Sequence, residues 1–194
     1  MKIGNDIIDL SYWLPLNKAS NPRYIDKICT KKEKQTLAFA KNPNLMLMQL
    51  WSMKEAAYKV AIKLGAKRAF IPKRLECRII DERRGLVCSE WGEMETDTEG
   101  NANYIHTIAN SDMLDPLALC FEVMALDNFK PAIQSIRLRK ALFLFLSTKL
   151  SLDIEQFEVK TITSIPRFFI DGRAADLEFS ISHDAGWGAF CVKL

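Results

Sequence analysis

The sequence has no uninterrupted run of apolar residues that approaches the ~20 needed to cross a bilayer. Its most apolar segment, residues 141–146, is flanked by Arg139, Lys140 and Lys149, which is typical of a buried helix face. Residues 1–6 contain neither the apolar stretch nor the small-residue cleavage site of a signal peptide. We therefore expect a cytoplasmic protein that does not bind a membrane.

Cysteine and histidine are too few and too scattered to indicate a disulfide framework or a zinc site. The five cysteines are odd in number and include no Cys-x-x-Cys pair, and there are only 2 histidines. The formal net charge of +3 is too small to predict binding to nucleic acid. Residues 67–84 are nevertheless rich in Lys and Arg, so they form either a solvated face or a surface for phosphates or an acidic partner.

The hydrophobic pattern that is present predicts one well-defined long helix. Asn42 can cap its first turn, and Pro43 suits the first helical position. The helix should run to Leu64 and stop at Gly65, with a buried side formed at helical spacing. The residues of that side are Leu50, Met53, Ala57, Val60, Ala61 and Leu64.

The remaining pattern predicts an α+β fold with two pseudo-symmetric halves, each a small antiparallel sheet packed with a long helix. We place the first half at residues 1–126 and the second at 127–194, and two halves in one chain favour a monomer. Further helices are expected over residues 31–41 and 132–150. Strands are expected over 2–9, 157–160, 177–182 and 188–193, with hairpins formed by 74–80 with 86–91 and by 104–109 with 117–125.

The first candidate site is on the long helix, in residues 51–59 (Trp-Ser-Met-Lys-Glu-Ala-Ala-Tyr-Lys). Glu55 and Lys59 are four residues apart, in the acid-before-base order that favours an ion pair. Spacing alone indicates an ordinary exposed pair, worth only about 0.3 kcal/mol. Apolar Trp51 and Ile62 border the same side, however, which indicates that this face is partly covered.

The second candidate site is residues 4–6 (Gly-Asn-Asp), near the end of the first predicted strand. Taken alone, Asp6 is explained by a turn in which it bonds its own backbone. Together, Asp6 and Glu55 could hold Mg²⁺, which takes one or two protein carboxylates and completes its shell with water and phosphate oxygens. Lys54 and Lys59 would then neutralise charge on a phosphate.

The third candidate site is residues 179–187, where a predicted strand ends in a glycine-containing turn. Ser182, His183 and Asp184 are consecutive, so they cannot easily align as a nucleophile, base and orienting acid. The hydroxyl and imidazole could instead bind a phosphate. His106 lies alone in a predicted strand, and we assign it no role.

Together, these three segments resemble the signature motifs of the 4'-phosphopantetheinyl transferase superfamily. Its Gly-x-Asp motif is matched at residues 4–6 and its Trp-Ser/Thr-x-Lys-Glu-x-x-x-Lys motif at 51–59. The Phe-Asn-x-Ser-His motif of the larger, surfactin-synthetase-activating type is matched at 179–183. The Trp-Ser-Met-Lys-Glu run is highly specific, whereas Gly-x-Asp alone is weak.

The order of these motifs predicts a circular permutation. In the larger type the Ser-His half precedes the Gly-x-Asp half, whereas here it follows. Joining Leu194 to Met1 restores the usual order almost without a gap. Chain ends that lie close together in a fold tolerate such a rearrangement.

Two positions depart from the motifs of the larger type. An acid normally stands two residues after the aspartate, where this chain has Ile8. Asp9, at three residues, resembles instead the small homotrimeric carrier-protein synthases, and is our candidate for a third metal ligand. The usual Gly-Lys-Pro is replaced by Ser-Ile-Pro at 164–166, and we suggest Lys130 and Arg137 for the 3'-phosphate of coenzyme A.

The resemblance implies an enzyme that uses Mg²⁺ to transfer 4'-phosphopantetheine from coenzyme A to a serine of an apo acyl or peptidyl carrier protein. Adenosine 3',5'-bisphosphate would be released. Coenzyme A would lie in a cleft between the halves, and Glu55 is the candidate base for the serine proton. The resemblance assigns Asp6, Glu55 and Asp9 to the metal, Lys54 and Lys59 to phosphate oxygens, and Ser182 and His183 to the nucleotide end.

Two other activities remain open. A catalytically silent relative that binds a carrier protein or coenzyme A would explain Ile8 and the altered residues 164–166. A metal-dependent phosphodiesterase is disfavoured, because the sequence has no second cluster of carboxylates or histidines to activate water.

Overall fold

A computed structural model describes residues 1–112, 119–162 and 165–194, and confirms the α+β class. Ser164, the first residue of the segment that replaces the usual Gly-Lys-Pro, lies outside these ranges. The helices are α1 (Leu10–Trp13), α2 (Pro22–Ile28), α3 (Lys31–Phe39), α4 (Pro43–Lys63) and α5 (Pro131–Leu150). The strands are β1 (Ile3–Asp9), β2 (Glu76–Ile79), β3 (Arg84–Ser89), β4 (Gly92–Gly100), β5 (Tyr104–Asn110), β6 (Leu119–Ala125), β7 (Phe157–Ile162), β8 (Ile165–Ile170), β9 (Arg173–Ala174), β10 (Phe179–Asp184) and β11 (Trp187–Lys193).

The strands form three antiparallel sheets, in the orders β1-β5-β4-β3-β2, β10-β11-β6 and β7-β8-β9. One face of the large sheet packs against α4, where the main apolar core lies. A second core joins α5 to the two smaller sheets. Within the described residues, no helix is both long and apolar enough to span a membrane.

Helix α4 follows the sequence prediction closely. The Asn42 side chain accepts a hydrogen bond from the amide of Leu45 over 3.1 Å, and Gly65 ends the helix with a positive φ of 104°. Five of the six predicted core residues are buried. Leu64 is the exception, with 43% of its surface exposed, because the chain leaves the helix there.

The predicted hairpin of residues 104–109 with 117–125 is wrong. Strand β5 has β1 on one side and β4 on the other, so no edge remains for β6. Strand β6 pairs instead with β11, with Phe121 opposite Cys191. Strand β6, from the predicted first half, thus completes a sheet with β10 and β11 from the predicted second half. The boundary between the halves at residue 126 stays a prediction.

The two ends of the chain lie side by side. The Lys2 ammonium pairs with the Glu178 carboxylate, and the Lys193 amide donates to the Glu178 carbonyl over 2.8 Å. Ile3 and Cys191 also share a small buried cluster. This proximity is what a circular permutation requires, although the permutation itself stays a prediction.

Candidate functional site

A glycine brings the first strand close to the long helix. A Cβ added to Gly4 would lie 2.2 Å from the carbonyl oxygen of Ala56, so no larger residue fits there. Because side chains alternate along a strand, Asp6 projects toward α4 like Gly4. The close approach therefore places the Asp6 carboxylate beside the charged side of α4.

Asp6, Glu55 and Lys59 form the electrostatic centre of the candidate site. Lys59 Nζ lies 3.6 Å from Asp6 Oδ1 and also donates to the carbonyl oxygen of Asn5 over 2.6 Å. Burial raises the pKa of Asp6 to about 7; Lys59 opposes this shift, while Glu55 and Asp184 add to it. Burial also raises the pKa of Glu55, again against Lys59. The structure thus gathers the first two sequence motifs around one partly buried group of charges.

Asp9, predicted as a metal ligand, faces the other way. It is three residues beyond Asp6 and therefore projects from the opposite face of β1. Its Oδ1 caps α1 by accepting from the amide of Tyr12 over 3.2 Å, and its Oδ2 accepts from the amide of Gly186 over 2.9 Å. Both oxygens serve the fold, so the structure does not support Asp9 as a third ligand.

Asp184, which the sequence analysis considered only as the acid of a triad, lies close enough to Asp6 to influence it. Its Oδ2 accepts hydrogen bonds from the amide of Asp9 over 2.8 Å and from Trp13 Nε1 over 2.7 Å. The charge of Asp184 raises the pKa of Asp6, so this acid belongs to the same electrostatic environment. The only sequence signal was its place directly after the Ser-His motif.

Lys54, predicted to contact phosphate, is absent from the site. Its side chain is fully buried and pairs with Glu33 over 2.8 Å. Its ammonium also donates to the carbonyl oxygens of Pro72 and Leu75, over 2.9 and 2.5 Å. The neighbouring Glu55 lies on the outer side of α4, whereas Lys54 lies on the core side, so the prediction for Lys54 is corrected.

A cavity of about 420 Å³ lies beside the carboxylates, between α4, α5 and β10. His183 lines it and shares a hydrogen bond of 3.2 Å with Ser135 Oγ of α5. Burial, with a smaller contribution from Lys59, lowers the pKa of His183. The cationic and polar residues that line the cavity include Lys59, Lys63, Arg68, Ser135, Arg139 and His183.

Three predicted nucleotide-binding residues do not reach this cavity. The Ser182 hydroxyl is buried and has no hydrogen-bond partner in the described residues. Arg137 pairs with Asp127 outside the cavity, and Lys130 is the exposed residue that precedes α5.

Arg139 and Arg68 line the cavity in their place. Arg139 follows Ser135 by one helical turn, so the two share a face of α5. That spacing, and the position of Arg68 in the basic stretch 67–84, were signals that sequence reasoning did not use.

Paired carboxylates beside a cavity lined with cations define a site suited to a phosphate-bearing ligand. Residues 2–109, more than half of the chain, match the family described as the 4'-phosphopantetheinyl transferase superfamily. The chain belongs to this superfamily. The matched range includes the motifs at 4–6 and 51–59 but not the one at 179–183.

Among solved structures, the chain is similar to the holo-[acyl-carrier-protein] synthase (AcpS) of Thermotoga maritima. That comparison has a TM-score of 0.40 and 10% sequence identity, and covers 89% of this chain and 84% of the other. No curated protein sequence matches the chain.

Proposed function

We propose that this protein transfers the 4'-phosphopantetheine group from coenzyme A to a serine of an apo acyl or peptidyl carrier protein, with Mg²⁺ as cofactor. The convergence of Asp6, Glu55 and Lys59 beside the cavity carries the proposal. Asp6 comes from β1 and the other two from α4, so their meeting is a property of the fold. His183 faces the same cavity from the second half of the chain.

The site has a donor set that fits Mg²⁺. Asp6 and Glu55 would supply two carboxylates, and burial raises the pKa of Asp6 to about 7 despite the nearby Lys59. The described residues contain no group of three or more His, Cys, Asp or Glu able to hold a metal ion. Mg²⁺ does not require one, because water and phosphate oxygens complete its shell. When bound, it would act as a Lewis acid toward the phosphate oxygens.

The protein's own residues would divide the remaining work. Lys59 would neutralise phosphate charge, and the cationic cavity would bind the nucleotide end through Arg68, Arg139 and His183. The serine Oγ would form a bond to the phosphorus that bears pantetheine, while the bond from that phosphorus to the bisphosphate breaks. Glu55 would accept the serine proton, and burial, which raises its pKa above the ordinary value, makes it a stronger base than an exposed carboxylate.

Mass spectrometry of an apo carrier protein incubated with the protein, coenzyme A and Mg²⁺ tests the proposal. We expect the carrier to gain the mass of phosphopantetheine, and no gain with Asp6→Ala or Glu55→Gln. Both variants should remain folded by circular dichroism. Glu90→Gln is the matched control, since this exposed acid pairs only with Arg74 at 3.6 Å in the described residues and should transfer normally.

The same assay separates the alternatives. Binding of coenzyme A or carrier without a mass gain would identify a silent relative, which the commitment of Asp9 to the fold favours. Release of free phosphopantetheine would identify a phosphodiesterase. Near-normal transfer by either acid variant would reject the assigned metal site.

A further inference from the structure

Lys54 and Glu33 are an ion pair removed from solvent. Both side chains are fully buried, and Lys54 Nζ lies 2.8 Å from Glu33 Oε1. Such a pair rarely adds stability over apolar residues of the same size, because both charges lose their hydration. A buried pair of this kind therefore calls for a role other than bulk stability.

The acid of this pair joins three segments of the chain. Glu33 Oε2 accepts from the amide of Thr30 and so caps α3, while Oε1 accepts from the amide of Cys77 over 2.6 Å. Cys77 belongs to β2. With Lys54 on α4, the carboxylate thus ties the starts of α3 and β2 to the middle of the long helix.

The base of the pair holds the end of a surface segment. The Lys54 ammonium donates to the carbonyl oxygens of Pro72 and Leu75, which end the connection between α4 and β2. That connection, residues 64–75, contains no α-helix or β-strand and only one 3₁₀ turn at Pro72–Arg74. An apolar side chain at position 54 could not bind these carbonyls. The carbonyl of Pro72 would keep the amide of Leu75 at 3.1 Å, whereas the carbonyl of Leu75 would lose its buried donor.

The same segment contributes Arg68 to the lining of the cavity. Phe70 packs edge-on against Trp51, with ring centroids 5.3 Å apart, and against Tyr58 at 5.0 Å. Tyr58 and Arg68 both line the cavity. The Lys54 ammonium thus binds the C-terminal part of the segment, and the Phe70 ring packs on α4 nearer its middle. Arg68 lies between Phe70 and the end of α4.

We propose that the Lys54–Glu33 pair is a positioning device that fixes residues 64–75 and thereby places Arg68 at the cavity. Neither residue touches the ligand, so the pair acts on ligand affinity and not on the bond-forming step. The inference rests on the proposed function for the identity of the ligand, coenzyme A. It assigns to the lysine of the Trp-Ser-Met-Lys-Glu run a role distinct from that of its neighbour Glu55.

The double variant Lys54→Met/Glu33→Gln tests this role, because it removes both charges and leaves neither buried alone. We expect the KM for coenzyme A to rise about tenfold with kcat within about twofold, the size typical of residues that act without touching ligand. Hydrogen exchange of the amides in residues 64–75 should accelerate in the same variant. Arg68→Ala, a substitution at an exposed position, should raise the KM by a similar factor.

Leu47→Ala is the matched control. Leu47 is fully buried in the same core and does not line the cavity, so this variant removes core packing but keeps both charges of the ion pair. We expect its KM and the exchange of residues 64–75 to stay at wild-type values.

An unchanged KM and unchanged exchange in the double variant would overturn the inference, as would an unchanged KM in Arg68→Ala. If the double variant fails to fold, the Arg68→Ala result decides alone. Failure of the proposed function is distinguishable, since wild-type protein would then transfer nothing to the carrier.

Discussion

Asp184 accepts a hydrogen bond from the backbone amide of Asp9 over 2.8 Å, which joins the end of β10 to the end of β1. The Asp9 carboxylate in turn accepts from the amide of Gly186, in the turn that follows Asp184. Trp13 donates to the same Asp184 oxygen over 2.7 Å. These bonds hold the end of β1, and with it Asp6, against the turn between β10 and β11.

We expect Asp184→Ala to lower the free energy of unfolding by about 2 kcal/mol, because two partly buried donors lose their acceptor. Asp184→Asn retains an oxygen that can accept both bonds and should cost about 0.5 kcal/mol. Urea denaturation of the three proteins gives these values. Equal losses for the two variants would show that the charge of Asp184, and not its acceptor oxygen, stabilises the junction.

Lys59→Met should lower the transfer rate about 100-fold at pH 7, by removing a positive charge at the phosphate site. Lys59 also lowers the pKa of Asp6. Its removal should therefore raise that pKa further, so that ionised Asp6 is reached only at higher pH. We expect the pH profile of transfer to shift to the alkaline side.

Lys41→Met is the control for this variant, because Lys41 is exposed and is not part of the cavity. Its rate and pH profile should match those of the wild-type protein. A Lys59→Met profile with the wild-type midpoint would contradict the assigned coupling between Lys59 and Asp6.

Two arginines of α5 provide a matched pair for nucleotide binding. Arg139 lines the cavity, whereas Arg137 pairs with Asp127 outside it. Loss of a hydrogen bond to a charged group costs about 1.5–3 kcal/mol, so Arg139→Ala should weaken coenzyme A binding at least about tenfold. Arg137→Ala should change the affinity by less than about twofold. Calorimetric titration measures both, and a larger effect at Arg137 would reverse the assignment.

His106 should make the protein sensitive to mild acid. Its side chain is fully buried and bonds Asn5 Nδ2 at 3.1 Å, and burial lowers its pKa to about 3. The folded protein keeps His106 neutral, while the unfolded chain binds a proton below the ordinary value of 6.5. Stability from this residue is therefore present above pH 6.5 and is lost as the pH falls, by about 2 kcal/mol at pH 5.

His106→Phe provides the comparison that isolates this effect. The variant should be less stable at neutral pH, because Asn5 loses its partner, but its free energy of unfolding should fall less between pH 7 and pH 5. Parallel pH dependences for the two proteins would show that His106 is not held neutral by burial.

Several features of the fold could be predicted because local interactions set them. The cap at Asn42 and the stop at Gly65 depend on contacts within a few residues. Strand β4 was missed because two of its buried positions are Thr96 and Thr98, which weakens the hydrophobic alternation. The pairing of β6 with β11 was missed because it joins residues far apart in the chain.

The sequence by itself predicted Asp6 and Glu55 as the acids of the candidate site, because the motifs at 4–6 and 51–59 contain them. Only the tertiary structure decided that Asp9 caps a helix and binds Gly186, that the charge of Asp184 raises the pKa of Asp6, and that Lys54 turns inward. The physical reason is that a side chain's role depends on which distant groups satisfy its charge and hydrogen bonds. Glu33, Gly186 and the carbonyl of Leu75 meet these side chains only once the chain has folded.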